Sequence, residues 1–413
     1  MPEFKIYYRI GMAGEKKILS HSSVRETFHG ICFSANVACF GKTWVSQFIN
    51  DLGKPFFIDP MTHAFQFPLN RISKENVLKK SFSQLLEVYG EPILEAVSSG
   101  HTVQPHDFDG NSIATMVENT LELQRNIAKP VSSSQKTLLE FEEWLDEKKQ
   151  EIEPEFLVLP YFWFDSPETD WYDLNLKILE QSRDHSKQLP IYAVICTTKN
   201  VYSQEEWISE ILSDFRIAEG LLLWISDFDE YRMDSPSLVS FLNFARRLSE
   251  ENKIVMMYGS FFSMIASKFG LAGISPGIGI SESKNVEDQP TGGVFSKKYY
   301  VPQAKIMVND ADARAFYADH PRTLCTCEIC QGNKIVNVGD IHEFFDELSP
   351  MDAKRHYCLC KDSELKEIEF TDIKGIETML LSNIEFCRER IGDLHNIPFG
   401  HLARWLTTLQ EVG

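Results

Sequence analysis

No stretch of this sequence approaches the run of about 18 apolar residues that a membrane-spanning helix requires. The first residues, MPEFKIYYRI, lack the apolar run and small-residue cleavage site of a secretory signal. The expectation is a cytoplasmic protein with reduced thiols and no membrane partner. No Gly-x-Gly-x-x-Gly segment follows an apolar run, which argues against a dinucleotide-binding sheet. Positive charge is scarce: 41 Lys and Arg against 60 Asp and Glu give a net charge of -19 over 413 residues. Such acidity repels polyanions, so a nucleic-acid partner would need a local basic face. The candidates for one are Lys284, Lys297, Lys298, Arg314 and Arg322. Cysteine is also sparse, with nine in the chain, yet three of them crowd into RTLCTCEICQG at 322–332. Cys32, Cys39 and Cys196 lie in apolar surroundings and read as core.

Short apolar runs alternate with amphipathic stretches through most of the chain. KPFFID reads as a buried strand, followed by a helix around ENVLKKSFSQLLEVYG. After a Ser-rich break comes the helical pattern KTLLEFEEWLDEKKQEI, then the strand FLVLPYFWFD and the helix WYDLNLKILEQSRD. The unit repeats as LPIYAVIC with SQEEWISEILSDF, GLLLWISD with SPSLVSFLNFARRLSEE, and KIVMMYG with FFSMIASKFG, leading into LAGIS. Continuous apolar strands each followed by a helix predict a parallel sheet covered on its outer face. This many units favours a closed (β/α)8 barrel of the TIM type, with a doubly wound sheet as the alternative.

In a barrel the chemistry sits at the C-terminal ends of the strands. The residues just past each apolar run are Asp59, Asp165, Asp227 with Asp229, and Gly259. One such Asp is commonly a helix cap, but carboxylates from three strand ends suit glycosyl chemistry. The crowded cysteines have a different chemistry. Cys325, Cys327 and Cys330 are followed, after 25 intervening residues, by His356. Three thiolates and one imidazole close a tetrahedral zinc site with no open position, so such a zinc is structural. His342, Cys358 and Cys360 compete with His356 for the fourth place.

That cysteine and histidine spacing resembles the zinc signature of the tRNA-guanine transglycosylase superfamily. FIDPMTHAFQF resembles the family's Asp-Ser-Gly-Gly-Phe-Gln segment at Asp59 and at Phe65 with Gln66, but lacks its two glycines. FWFDSPETD resembles the strand end whose Asp recognises the base, which falls on Asp165. YGSFFSMIASKFGLAGIS resembles the segment leading to the family's nucleophilic Asp, where this chain has Ser275.

The resemblance implies a barrel over 1–310, a zinc-binding subdomain over 311–365, and C-terminal helices over 366–413 that complete the barrel. Its departures point to the branch of 7-deazaguanine DNA transglycosylases, found in some phages and bacterial genomic islands. The implied reaction exchanges guanine in DNA for a free 7-deazaguanine base, such as 7-cyano-7-deazaguanine, through a covalent glycosyl carboxylate. The implied partner is DNA, with tRNA as runner-up, and a homodimer is compatible with it. A catalytically dead base- or nucleic-acid-binding paralogue is a further alternative. Asp59, Asp227 and Glu282 are the carboxylates expected to carry the chemistry. Asp165, Phe65, Tyr258 and Gly259 are expected to hold the base.

Overall fold

The computed structural model describes residues 3–11, 13–129, 152–185, 189–279, 282–288, 297–318, 324–332, 340–391 and 398–413. Eight parallel strands form its centre: β1 Lys5–Ile10, β2 Gly30–Ser34, β3 Phe56–Asp59, β4 Leu157–Val158, β5 Ile191–Thr197, β6 Gly220–Ile225, β7 Ile254–Met256 and β8 Leu271–Ile274. Their order is β3-β2-β1-β8-β7-β6-β5-β4, so the last strand returns to the first, with Lys5 opposite Gly273. Between β3 and β4 the ladder is reduced to one bond, from the Glu155 amide to the Phe56 carbonyl at 2.9 Å. Stacked Phe57 and Phe156 rings, 4.9 Å apart, fill that seam. The sheet is thus nearly closed into the expected barrel.

Period-2 alternation sorts the side chains. Tyr7, Cys32, Phe57, Val158, Tyr192, Val194, Leu222, Trp224 and Val255 point inward and pack as one buried group. Their neighbours Ile6, Tyr8, Ile31, Phe33, Ile58, Ile195 and Leu223 join the larger core beneath the helices. The interior is therefore packed and leaves no pore.

Two strands, β1 and β2, are not anticipated by the apolar-run reading. KIYYRI carries a charged residue near each end, and GICFS is short. The helix anticipated over 75–90 begins only at Lys80. Before it, Ser73–Lys74 pairs with Val77–Leu78 around a tight turn, in which Glu75 and Asn76 have φ of 52° and 64°. Two adjacent left-handed residues make the turn that matches hairpin twist, and Asn tolerates that conformation. The helix read from KTLLEFEEWLDEKKQEI lies almost wholly outside the described residues.

After the barrel, β9 Lys298–Val301 and β10 Ile306–Asn309 form an antiparallel hairpin outside the sheet. Four helices matter below: α1 Ser235–Ser249, α2 Pro350–Phe370, α3 Ile373–Ile391 and α4 Gly400–Val412. Helix α2 runs unbroken across position 365, where a boundary was expected. Helix α4 packs on α1 from outside the barrel, with Trp405 Nε1 donating to the Glu230 carbonyl at 2.9 Å. No described helix is long and apolar enough to cross a membrane.

Candidate active site and metal centre

Cys325, Cys327, Cys330 and His356 converge so that their donor atoms all lie within 4.8 Å of one another. This group could hold a metal ion. His356 sits on α2, and its Nδ1 lies 3.3 Å from Cys327 Sγ and 3.4 Å from Cys330 Sγ. Its other nitrogen, Nε2, is 2.8 Å from the Tyr300 carbonyl. A carbonyl can only accept, so Nε2 carries the proton and Nδ1 presents its lone pair to the sulfurs. Tyr299 stacks on the imidazole at 4.2 Å and places its hydroxyl 3.2 Å from Cys330 Sγ. The hairpin β9–β10 thereby fixes the ring of His356 from two sides.

The four groups shift one another's protonation. Contact with Cys327 and Cys330 holds the Cys325 thiol far below its ordinary range. Burial disfavours a charged His356, yet the neighbouring thiols of Cys325 and Cys327 raise it to about 9.

Helix α2 also reaches the barrel. Lys361 Nζ donates to Ser260 Oγ at 2.9 Å and to Tyr300 Oη at 2.8 Å, and lies 3.3 Å from Glu364. Lys305 pairs with Glu364 from the β9–β10 turn at 3.1 Å. On the barrel side, Glu282 accepts from Tyr231 at 2.8 Å, from Ser260 at 2.6 Å and from Tyr357 at 2.7 Å. The Gly259 amide donates to the Glu282 carbonyl at 2.6 Å. This approach needs φ of +106° at 259, and a Cβ there would stand 2.6 Å from Ser263 Oγ. Gly259 therefore serves the backbone geometry of the strand end.

Glu230 accepts from the amides of Ser260, Phe262 and Ser263, at 3.0, 3.1 and 3.2 Å. Burial, aided by the charge of Glu282, nevertheless pushes it up to about 7. A carboxyl raised above its unfolded value of 4.5 binds its proton more tightly in the folded state. Its stability contribution is full below pH 4.5 and is lost as pH rises through 7, an effect on the order of 3 kcal/mol. Urea unfolding of Glu230→Gln should accordingly lack part of the wild-type decline across that window. Identical slopes in the two proteins would place the proton elsewhere.

The second cluster lies at the mouth. Asp59 ends β3 fully buried, ion-paired to Arg9 of β1, and accepts from Tyr161 Oη at 2.8 Å and the Met61 amide at 3.2 Å. Burial opposes its charge, but the Arg9 guanidinium and the Tyr161 hydroxyl outweigh that and hold it below the usual carboxylate range. Arg9 lies over the Tyr258 ring at 4.7 Å and 3.4 Å from Cys32 Sγ. His63 stacks on Tyr161 and meets Trp224 edge-on, and burial drives its pKa down to about 3. Its Nδ1 is buried without a hydrogen-bond partner. A narrow cleft bounded by His63, Phe67, Arg71, Lys284 and Glu287 reaches this ring from outside.

No protein-family model matches this chain, and no curated protein does either. The assignment of its chemistry rests on these two clusters.

Of the residues singled out from sequence, the metal group assembles around His356, and Asp59 and Tyr258 share Arg9. Phe65 lies apart from this cluster. The left-handed Met61, at φ 61°, starts a turn over Thr62–Phe65 that sends His63 toward Trp224. Phe65 is instead wedged between Phe82 and Tyr89 of the outer layer. Asp165 is exposed past Phe164, whose amide bonds the Cys196 carbonyl at 3.1 Å on β5. Asp227 is exposed and accepts from the Lys199 amide at 2.7 Å, while the helix after its strand is capped by Asp234. Ser275 is buried beside Cys32. Of the candidate basic face, Lys297 and Arg314 are both committed to Asp310, and Arg322 lies outside the described residues.

Sequence reasoning missed Arg9, Tyr161 and His63. The signal for Arg9 was a charge on the same alternating face as the inward Tyr7 of KIYYRI. Removing it from the buried pair strands the Asp59 charge, which costs about 3–5 kcal/mol. Arg9→Met should therefore lower the unfolding free energy by that much in denaturant titrations. A loss below about 1 kcal/mol would show that Asp59 does not depend on this partner.

Proposed function

We propose that this chain is a base-exchanging glycosyltransferase of the tRNA-guanine transglycosylase kind. It replaces guanine in DNA by a 7-deazaguanine and carries a structural zinc. The observation that carries the reading is the pairing of a group of three cysteines and one histidine with a (β/α)8 barrel whose third strand ends in an ionised, buried carboxylate. The donor set suits zinc. Bonds of about 2.3 Å to sulfur make a tetrahedron with edges of about 3.8 Å, and the donor atoms already crowd within 4.8 Å. Cys325, Cys327, Cys330 and His356 would hold the ion, which supplies folding energy and charge balance and takes no part in bond making.

The chemistry belongs to the mouth. Asp59 attacks the anomeric carbon of a deoxyguanosine, the glycosidic electron pair leaves with guanine, and a proton joins the departing base. The incoming 7-deazaguanine then loses its ring N–H proton. That nitrogen attacks the same carbon and expels Asp59 as a carboxylate. Arg9 and Tyr161 hold Asp59 ionised before the first step and receive it as a leaving group in the second. Tyr258 and Trp224 offer aromatic faces, and His63 Nδ1 is a buried polar atom free to meet a base edge. The target base must leave its stack to reach this depth, at a cost of a few kcal/mol.

One observation favours a second reading, a non-catalytic base-binding paralogue. Asp59 is closed off by His63, Tyr161 and its own ion pair, and Ser275 stands where the family has its nucleophile. Nucleoside mass spectrometry of DNA and tRNA from cells with and without the gene separates the readings. The proposal predicts a deazaguanine deoxynucleoside that depends on the gene. A modified tRNA nucleoside instead would move the substrate to RNA, and no change in either would favour the paralogue.

A further inference from the structure

The metal group has a neighbour that neither its spacing nor the proposed reaction uses. Cys360 lies one helical turn after His356 on α2, at the i+4 position on the same face. Its Sγ is 3.6 Å from Cys325 Sγ, 3.5 Å from His356 Nδ1 and 3.6 Å from His356 Nε2. These separations match the edge of a zinc tetrahedron, about 3.8 Å between sulfurs. Cys360 is thus at ligand distance from one thiolate, on the same side of the cluster as the imidazole.

Charge explains why it stays outside the resting set. A zinc site of three thiolates and one imidazole carries one net negative charge, and a four-thiolate site carries two, in an interior that already holds Glu364. The imidazole is also held in place by Tyr300 and Tyr299, whereas no such brace presents Cys360.

We propose that Cys360 is a reserve ligand that completes a four-thiolate site when the imidazole of His356 is withdrawn. The step releases the Cys360 proton to solvent and forms one metal–sulfur bond at the corner the imidazole vacates. The zinc of the proposed function is assumed only as an ion in this pocket, and the inference concerns which side chains close around it.

Cobalt(II) reports the ligand set through its sulfur charge-transfer band, whose intensity scales with the number of thiolates. The test uses the full chain loaded with cobalt as wild type, Cys360→Ser, His356→Asn and the double variant. His356→Asn keeps a donor for the Tyr300 carbonyl but offers no ring nitrogen. The expected result is one cobalt per chain in the first three. Charge-transfer intensity in His356→Asn should be about a third above wild type, four thiolates against three. Cys360→Ser should keep the wild-type spectrum, and the double variant should lose tight binding. Three results would overturn the proposal. They are wild-type or lower sulfur intensity in His356→Asn, loss of intensity in Cys360→Ser alone, and failure of His356→Asn to fold around cobalt. Because the readout is spectral, absence of base exchange in any of these proteins bears on the proposed function and leaves this test intact.

Discussion

Cys327→Ala should yield a chain that binds no zinc tightly and fails to fold residues 324–370 around α2. The sulfur of Cys327 faces His356 Nδ1 at 3.3 Å, whereas the sulfur that Cys360 meets, at 3.6 Å, is that of Cys325. Binding energy at structural zinc sites is folding energy, on the order of 10–16 kcal/mol, as large as the whole stability of an ordinary domain. The damage should spread, because α2 also carries Tyr357 and Lys361, which hold Glu282 and Ser260 at the strand ends. Elemental analysis and near-ultraviolet circular dichroism are the measurements. Well-folded wild-type protein that contains no zinc, or a fully folded Cys327→Ala, would remove the metal from the account.

Asp59→Asn should reduce exchange of labelled guanine in DNA by about 10³-fold or more, while Ser275→Ala keeps most of the activity. An amide cannot form the reactive glycosyl ester, and it cannot neutralise Arg9. A serine at 275 would need an adjacent base, and its sugar adduct would be an acetal too stable to be displaced by the incoming base. The variant will also lose stability through the broken ion pair, so rates must be compared on folded protein. Inactive Ser275→Ala with active Asp59→Asn would reverse the assignment.

The barrel was legible because its later strands are apolar runs of consistent length, each followed by an amphipathic helix. The metal group was legible because ligand spacing is a covalent property of the chain. What escaped detection depends on how the chain folds back. Arg9 and Asp59 lie fifty positions apart and meet only because β1, β2 and β3 are neighbours in register. His63 faces inward and Phe65 outward because Met61 takes a left-handed turn, which no apolar pattern announces. Cys360 rivals His356 by spacing alone, and the structure puts His356 against Cys327 and Cys330 and Cys360 against Cys325. Glu230, beside the strand-end Asp229 and not singled out from the sequence, is the buried cap of the segment after β7.

The most direct measurement is a trapping experiment on zinc-loaded protein with guanine-containing single-stranded DNA and no incoming base. The account predicts a covalent protein–DNA adduct on a denaturing gel that maps by peptide mass spectrometry to the segment holding Asp59. Adding 7-cyano-7-deazaguanine should then discharge it and leave that base in the DNA. Folded, zinc-containing protein that forms no adduct and exchanges no base on DNA or tRNA would contradict the account and leave a base-binding barrel.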